Sequence, residues 1–183
     1  MDRIVTKAFS RLALINKVFQ DKSCNSVLRL YKAIIRPTLD FSSIVWNPFT
    51  IGYTKKVERV QKRMCRIIPS IRHLSYNDQL VKLNMLSLYA RRIRFQLISV
   101  FKMYKNITNV DFNDFFTLLT NKRTRGHSAT LQLKHANNNY RLNFFTVSTI
   151  DLWNKLPQTL IDESSLAKFK IGLNAFLLSQ DIH

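Results

Sequence analysis

Six cationic side chains recur between residues 55 and 66 at spacings that gather them on one side of a helix. At 100° per residue they fall within a sector about 120° wide, and the apolar residues of the same run fall opposite them. The six are Lys55, Lys56, Arg59, Lys62, Arg63 and Arg66. Glu58 is the only carboxylate in this run that relieves their mutual repulsion. Such a surface favours binding of a polyanion, which would neutralise it.

The lack of alternating charge argues against an ordinary solvated helix face, because such faces usually pair opposite signs at i,i+4. Nucleic acid is therefore the leading interpretation, and a solvated face, an anionic membrane surface or a calmodulin-like partner are the alternatives. Arg91, Arg94 and Lys102 occupy a flank of a later predicted helix and extend the basic surface. Neither helix carries a row of Asn, Gln and Arg, so we expect phosphate neutralisation rather than base reading.

The residues that support catalysis are sparse and scattered in this sequence. No pair of aspartates suits a two-metal site, and the four histidines do not stand at metal-ligand spacing from either cysteine. Cys65 lies among cations that could lower the pKa of its thiol, but we interpret it as a small structural residue on a helix face in preference to a nucleophile. We therefore predict no catalytic residue, no metal, no cofactor and no small-molecule ligand.

The charge of the chain is concentrated in its middle third. The 183 residues carry a net charge of +18, and within residues 50–105 thirteen Lys and Arg against two Asp and Glu give +11. Apolar residues make up 46% of the sequence, enough for a hydrophobic core, and no apolar run is long enough to span a membrane. Two cysteines suggest a reducing compartment.

The N-terminal segment bears on location. Residues 1–20 indicate an ordinary amphipathic helix, with a mitochondrial presequence as the alternative. We find no secretory signal there and expect a protein that is not secreted.

Helical periodicity dominates the elements that must position these side chains, and glycine is scarce, so the predicted fold is mostly α. Helices are predicted over residues 3–20, 55–68, 76–83 and 146–154, with a short helix or turn in 38–46 and a turn in 112–119. Three further helices are predicted from their caps or stops. One is capped by Ser26 or Asn25 and ends before Pro37, one runs from a Ser87 cap to about residue 105, and one covers 166–178 after a Ser164 or Ser165 cap. Alternation of apolar and polar residues also predicts a small β-hairpin over 130–145.

Three groups of segments form an ordered set of motifs along the chain. The first comprises residues 30–48 (LYKAIIRPTLDFSSIVWNP) and 58–67 (ERVQKRMCRI). The second comprises 75–92 (SYNDQLVKLNMLSLYARR) and 101–104 (FKMY). The third comprises 124–127 (TRGH), 143–145 (NFF), 152–157 (LWNKLP) and 165–170 (SLAKFK). Each piece is weakly specific, but in their order and spacing they together resemble the C-terminal part of a non-LTR retrotransposon (LINE) reverse transcriptase of the jockey-like group.

The resemblance implies a helical, bundle-like thumb region over residues 1–72, including the basic helix 55–68, and a helical C-terminal extension over 73–183. It implies that the polymerase aspartates belong to a palm domain upstream, and this chain has no Tyr-x-Asp-Asp motif. The implied partners are RNA, an RNA–DNA or DNA duplex backbone, and a palm domain, with no membrane. By the same analogy the location would be nuclear or cytoplasmic.

Two other functional classes remain open beside the nucleic-acid module. One is a non-functional retroelement relic whose apolar helix faces have lost their partner. The other is a basic helical module for protein or anionic membrane surfaces. Trp46 and Trp153 are interpreted as core anchors in preference to base-stacking groups. Arg125 beside Gly126 is interpreted either as a phosphate contact or as a solvated turn residue.

Overall fold

The computed structural model describes residues 2–46, 50–120, 127–135 and 138–180, and these are mostly α-helical, as the sequence predicts. The chain divides into two compact units, Met1–Arg92 and Ile93–Ile182. The boundary predicted between residues 72 and 73 was drawn from the family resemblance, between a thumb region and a C-terminal extension, and not from compactness. It stays a prediction.

Helices of the first unit enclose one hydrophobic core. They are α1 (Asp2–Val18), α2 (Cys24–Leu30), a π-helical turn (Tyr31–Ile35), α3 (Arg36–Asp40), α4 (Ser43–Trp46), α5 (Ile51–Ile67), α6 (Tyr76–Lys82) and the start of α7 (Leu88–Tyr104). In α1 the buried residues recur at helical spacing, and α1 packs against α5, α3 and the π-helical turn. The core is formed by Val5, Leu12, Ile15, Val27, Tyr31, Ile35, Leu39, Val57, Val60, Met64, Ile68, Ile71 and Leu80, among others.

The predicted cap of α2 is wrong. Ser23 is the N-cap, and its hydroxyl accepts a hydrogen bond from the Ser26 backbone N–H at 3.3 Å. Asp21 supports this cap by accepting from the Ser23 N–H at 2.8 Å. The Ser26 N–H donates to a capping hydroxyl three residues before it, so Ser26 lies inside the first turn of α2 and is not its N-cap.

The expected stop before Pro37 is also wrong, because the chain remains helical through Asp40. The π-helical turn just before the proline explains this difference. There the Arg36 N–H donates to the Tyr31 carbonyl five residues back, in place of the α-helical pattern. Pro37 lacks an N–H and would clash with the carbonyl of an α-helical turn, and the wider turn ahead of it accommodates the ring. The helix ends at Phe41, where the backbone leaves the helical region and enters a turn.

Helix α7 continues into the second unit, which also contains a 3₁₀ turn (Phe112–Asp114), α8 (Asn139–Leu142), α9 (Phe145–Asn154), α10 (Gln158–Ile161) and α11 (Leu166–Ser179). Ser87 caps α7 as predicted, since its hydroxyl accepts from the Ala90 N–H at 3.1 Å. Phe101 stacks on Phe169 with ring centres 3.9 Å apart. Trp153 is fully buried, which confirms its interpretation as a core anchor, and its indole N–H donates to the Ala129 carbonyl at 2.9 Å.

The hairpin predicted over 130–145 is wrong. Leu131 forms an isolated antiparallel bridge with Leu118 instead, upstream in the chain. Residues 139–142 are helical, and the Asn138 side chain caps them by accepting from the Arg141 N–H at 2.8 Å. Tyr140, Leu142 and Phe144 are all exposed, so their alternation with polar residues does not mark a buried strand face.

Candidate nucleic-acid interface

Helix α5 divides sharply into a buried side and a cationic side. All six predicted cations are exposed, and together they form what is called here the cationic face: Lys55, Lys56, Arg59, Lys62, Arg63 and Arg66. Val57, Val60 and Met64 on the opposite side are completely buried. Burial of these side chains fixes the rotation of the helix, so the cationic face must point to solvent.

Glu58 does not lie among these cations as a simple counter-charge. Its carboxylate accepts hydrogen bonds from the Leu88 N–H at 3.1 Å, from the Tyr89 N–H at 3.3 Å and from the Tyr76 hydroxyl. Glu58 therefore caps the N-terminus of α7, where the helix dipole favours a negative charge. Its charge is used to join α5 to α7, and this leaves the cationic face with little local neutralisation.

Gln61 is the second polar residue on the inner side of α5, and it is completely buried. Its carbonyl oxygen accepts from the Tyr31 hydroxyl at 2.8 Å, and its amide donates to the Leu86 carbonyl at 3.0 Å and to the Tyr76 hydroxyl at 3.2 Å. Burial, and next the charge of Glu58, raise the pKa of Tyr76 well above its usual value, so the hydroxyl keeps its proton. The network holds the cationic helix rigidly against the core.

Two members of the cationic face have partners. Lys56 pairs with Asp2 at 3.0 Å, and Lys62 lies over the Tyr76 ring, with its ammonium 4.8 Å from the ring centre. Within the described part of the chain, Lys55, Arg59, Arg63 and Arg66 form no ion pair. Four uncompensated charges within three turns repel one another, which favours an external anion.

The second group of predicted cations, Arg91, Arg94 and Lys102, makes more contacts within the protein than the cationic face does. Arg91 pairs with Asp40 at 2.6 Å, and both side chains are largely buried; Arg36 lies 3.6 Å from the same carboxylate. Arg94 donates to the Asn174 side chain, and Lys102 is half-buried on α7. Arg94 and Lys102 belong to the second unit. Phosphate contact by these three residues stays a prediction.

Arg92 is a cation that sequence reasoning missed. It is buried, and burial lowers the pKa of its guanidinium, while the charges of Glu58 and Asp40 act in the opposite direction. Leu88 and Gln96, one turn before and after it on the same helix face, are buried as well, but a face that contains Arg and Gln gives no apolar signal in the sequence. Arg92 therefore balances the carboxylates inside the first unit.

A cleft of about 570 Å³ opens along one edge of the cationic face. It is lined by Ile51, Thr54, Lys55, Glu58, Arg59, Lys62, Tyr76, Asn77, Ser87 and Tyr89. Half of the cationic face therefore borders a concave surface with two tyrosines. Tyr76, Asn77 and Tyr89 belong to the second group of resembling segments but were not predicted as binding residues, because a run of apolar and polar residues does not reveal which of them meet across a cleft.

The remaining chemically active side chains have structural environments. Cys65 is completely buried, and burial, reinforced by the charge of Glu58, raises the pKa of its thiol to about 12. His127 is buried with Nε2 3.0 Å from the Trp153 carbonyl oxygen. Across the described ranges, no three His, Cys, Asp or Glu residues cluster as metal ligands would. Arg125, Gly126 and the side chain of Trp46 lie outside the described residues.

Compared with models of known protein families, with curated proteins and with solved structures, the chain gives no significant match. Among the helices that the structure describes, none combines the length and apolar character needed to cross a membrane.

Proposed function

We propose that the first unit binds the sugar–phosphate backbone of nucleic acid through the cationic face of α5. The observation that carries this proposal is the arrangement of four exposed cations that have no ion-pair partner among the described residues, on a helix whose rotation is fixed by buried residues. A phosphate backbone supplies regularly spaced negative charge, and its binding releases condensed counterions. The cationic face offers charge without a built pattern of donors and acceptors, so recognition is of backbone rather than sequence.

We further propose that these residues are the thumb and C-terminal part of a retrotransposon reverse transcriptase. The ordered motifs carry this proposal. In the motif over residues 58–67, Glu58 and Gln61 hold the helix through internal hydrogen bonds, whereas Arg59, Lys62 and Arg63 are exposed. That division suits a helix that must be both anchored and free to grip a template–primer or the element's RNA.

A palm domain as partner is part of the same proposal. Val45 and Ile51 are 87% and 72% exposed, far more than large apolar side chains in a core. Burial of these side chains against another domain would remove apolar surface from water. The cationic face itself does not depend on that partner, so binding of nucleic acid can be measured on this chain.

Fluorescence anisotropy of a labelled RNA–DNA duplex at increasing salt tests the proposal. If about six phosphates are neutralised, affinity falls about 10³-fold between 50 and 200 mM salt. Arg59, Arg63 and Arg66 changed together to Gln should weaken binding and reduce the slope of log K against log salt by about 3.

The matched control changes Arg3, Arg29 and Arg72 to Gln, which removes the same charge from three exposed arginines outside the cationic face. Equal weakening by both triple variants would mean that only net charge matters and would contradict the proposed site. Competition by anionic lipid vesicles at the same charge concentration would instead favour a membrane-surface module.

A further inference from the structure

The cleft beside the cationic face combines three kinds of group that a nucleotide needs. Lys55, Arg59 and Lys62 lie on one edge at spacings of four and three residues, which covers about 10 Å along the helix. Tyr89 is exposed on the α7 side, and Asn77 adds an exposed amide. Cations, an aromatic ring and an amide thus face one concave space of about 570 Å³.

We propose that this cleft receives one unstacked nucleotide of a single-stranded nucleic acid, with its base against Tyr89 and its phosphates on Lys55, Arg59 and Lys62. This inference rests on the proposed function and deepens it, because it assigns the strand class that the cationic face prefers. Asn77 would contact an edge of the base.

The volume and the lining favour a base over a bare anion. A cleft of this size is within the range of small-ligand sites, whereas phosphate alone needs no aromatic wall. Single strands expose ring faces that stack on aromatic side chains, and such stacking tolerates any base. In a duplex both faces of each base are covered by its neighbours, so only the backbone would reach this surface.

Internal hydrogen bonds hold two of the residues that line the cleft, as a stacking site requires. The backbone N–H of Tyr89 donates to the Glu58 carboxylate, and the Tyr76 hydroxyl accepts from the Gln61 amide. Lys62 is held over Tyr76, so its ammonium stays at the edge of the cleft. The N-terminus of α7 is already occupied by Glu58, and the phosphates are therefore assigned to the cations rather than to that helix end.

Two single strands of equal length separate base binding from charge. One is a deoxythymidine oligonucleotide, and the other has the same sugar–phosphate chain without bases. The base-bearing strand should bind the full chain about fivefold to a hundredfold more tightly, which is the range expected for stacking of one base. Tyr89→Ala should reduce its affinity to that of the abasic strand, and Tyr89→Phe should retain the preference because the ring remains.

Tyr53→Ala is the matched control, since Tyr53 has nearly the same exposure, 40% against 37% for Tyr89, and does not line the cleft. Equal loss in both alanine variants would overturn the assignment to the cleft. Equal, salt-dependent binding of both strands by the unmodified protein would overturn the inference and leave backbone binding intact. Failure of both strands to bind, together with the duplex, would overturn the proposed function and this inference with it.

Discussion

Two inward polar residues of α5 show how single side chains support a charged surface from below. Glu58 caps α7, and Gln61 connects the hydroxyl groups of Tyr31 and Tyr76 with the Leu86 carbonyl. Both residues belong to the segment that resembles the retrotransposon family, yet both are used for internal hydrogen bonds. A polar residue in a motif can therefore position a site without touching its ligand.

Cys65 gives a test of burial at the residue scale. Its pKa of about 12 leaves almost no thiolate at pH 8, and its completely buried sulfur is closed to reagents. We expect an alkylating reagent to modify the half-buried Cys24 first in the native protein. Mass spectrometry after timed labelling should show Cys65 modified only when denaturant is added.

The raised pKa of Cys65 also makes the stability of the protein depend on pH. The folded protein holds the Cys65 proton more tightly than an unfolded chain, whose thiol has its ordinary pKa of 9.0. The resulting contribution to stability is present below pH 9 and is lost as the pH rises from 9 toward 12. Rapid modification of Cys65 at pH 8 without denaturant would contradict its burial.

At the scale of elements, α5 is both the centre of the first core and the carrier of the cationic face. Gln61→Ala should lower the free energy of unfolding by about 2–4 kcal/mol, because it leaves the Tyr31 hydroxyl and the Leu86 carbonyl without their buried partner. Urea unfolding followed by circular dichroism measures this loss.

The neighbouring Lys62→Ala is the control for that measurement. Lys62 is exposed and loses only its contact with the Tyr76 ring, so its removal should lower the free energy of unfolding by no more than about 1 kcal/mol while weakening nucleic-acid binding. The two adjacent substitutions should therefore separate stability from binding. A similar loss of stability in both variants would mean that the two sides of α5 do not have distinct roles.

At the scale of the whole molecule, the net charge of +18 opposes compaction and makes stability depend on the ionic environment. A polyanion that binds only the folded state at about 100 times its Kd should stabilise it by about 2.7 kcal/mol. In a protein of this size that corresponds to a rise in Tm of about 5–10 °C. Differential scanning calorimetry with and without a single-stranded oligonucleotide checks this expectation.

The same calorimetry distinguishes a working module from a relic. The proposed function predicts cooperative unfolding and a smaller Tm shift in the variant with Arg59, Arg63 and Arg66 changed to Gln. A relic with unpartnered apolar helix faces would instead unfold without a cooperative transition. The oligonucleotide would then produce no defined shift in Tm.

The sequence by itself determined the mostly helical fold, the two sides of α5, the cap at Ser87 and the burial of Trp153. These features follow from local periodicity and capping, in which the decisive residues lie within a few positions of one another. The prediction that the helix stops before Pro37 was wrong, because the π-helical turn that accommodates the proline depends on the backbone conformation of the preceding residues. The hairpin prediction over 130–145 was wrong because alternation along the chain does not identify the partner of a strand.

Only the tertiary structure decided which charged side chains are free and which are used internally. Glu58 meets the start of α7 thirty residues away, and Arg91 meets Asp40 across fifty-one residues. The cleft likewise exists because α5, α6 and the start of α7 converge on one another. Helical periodicity places a cation on a face of its own helix, but only packing between distant segments supplies its partner, since each partner lies far beyond the reach of a local pattern.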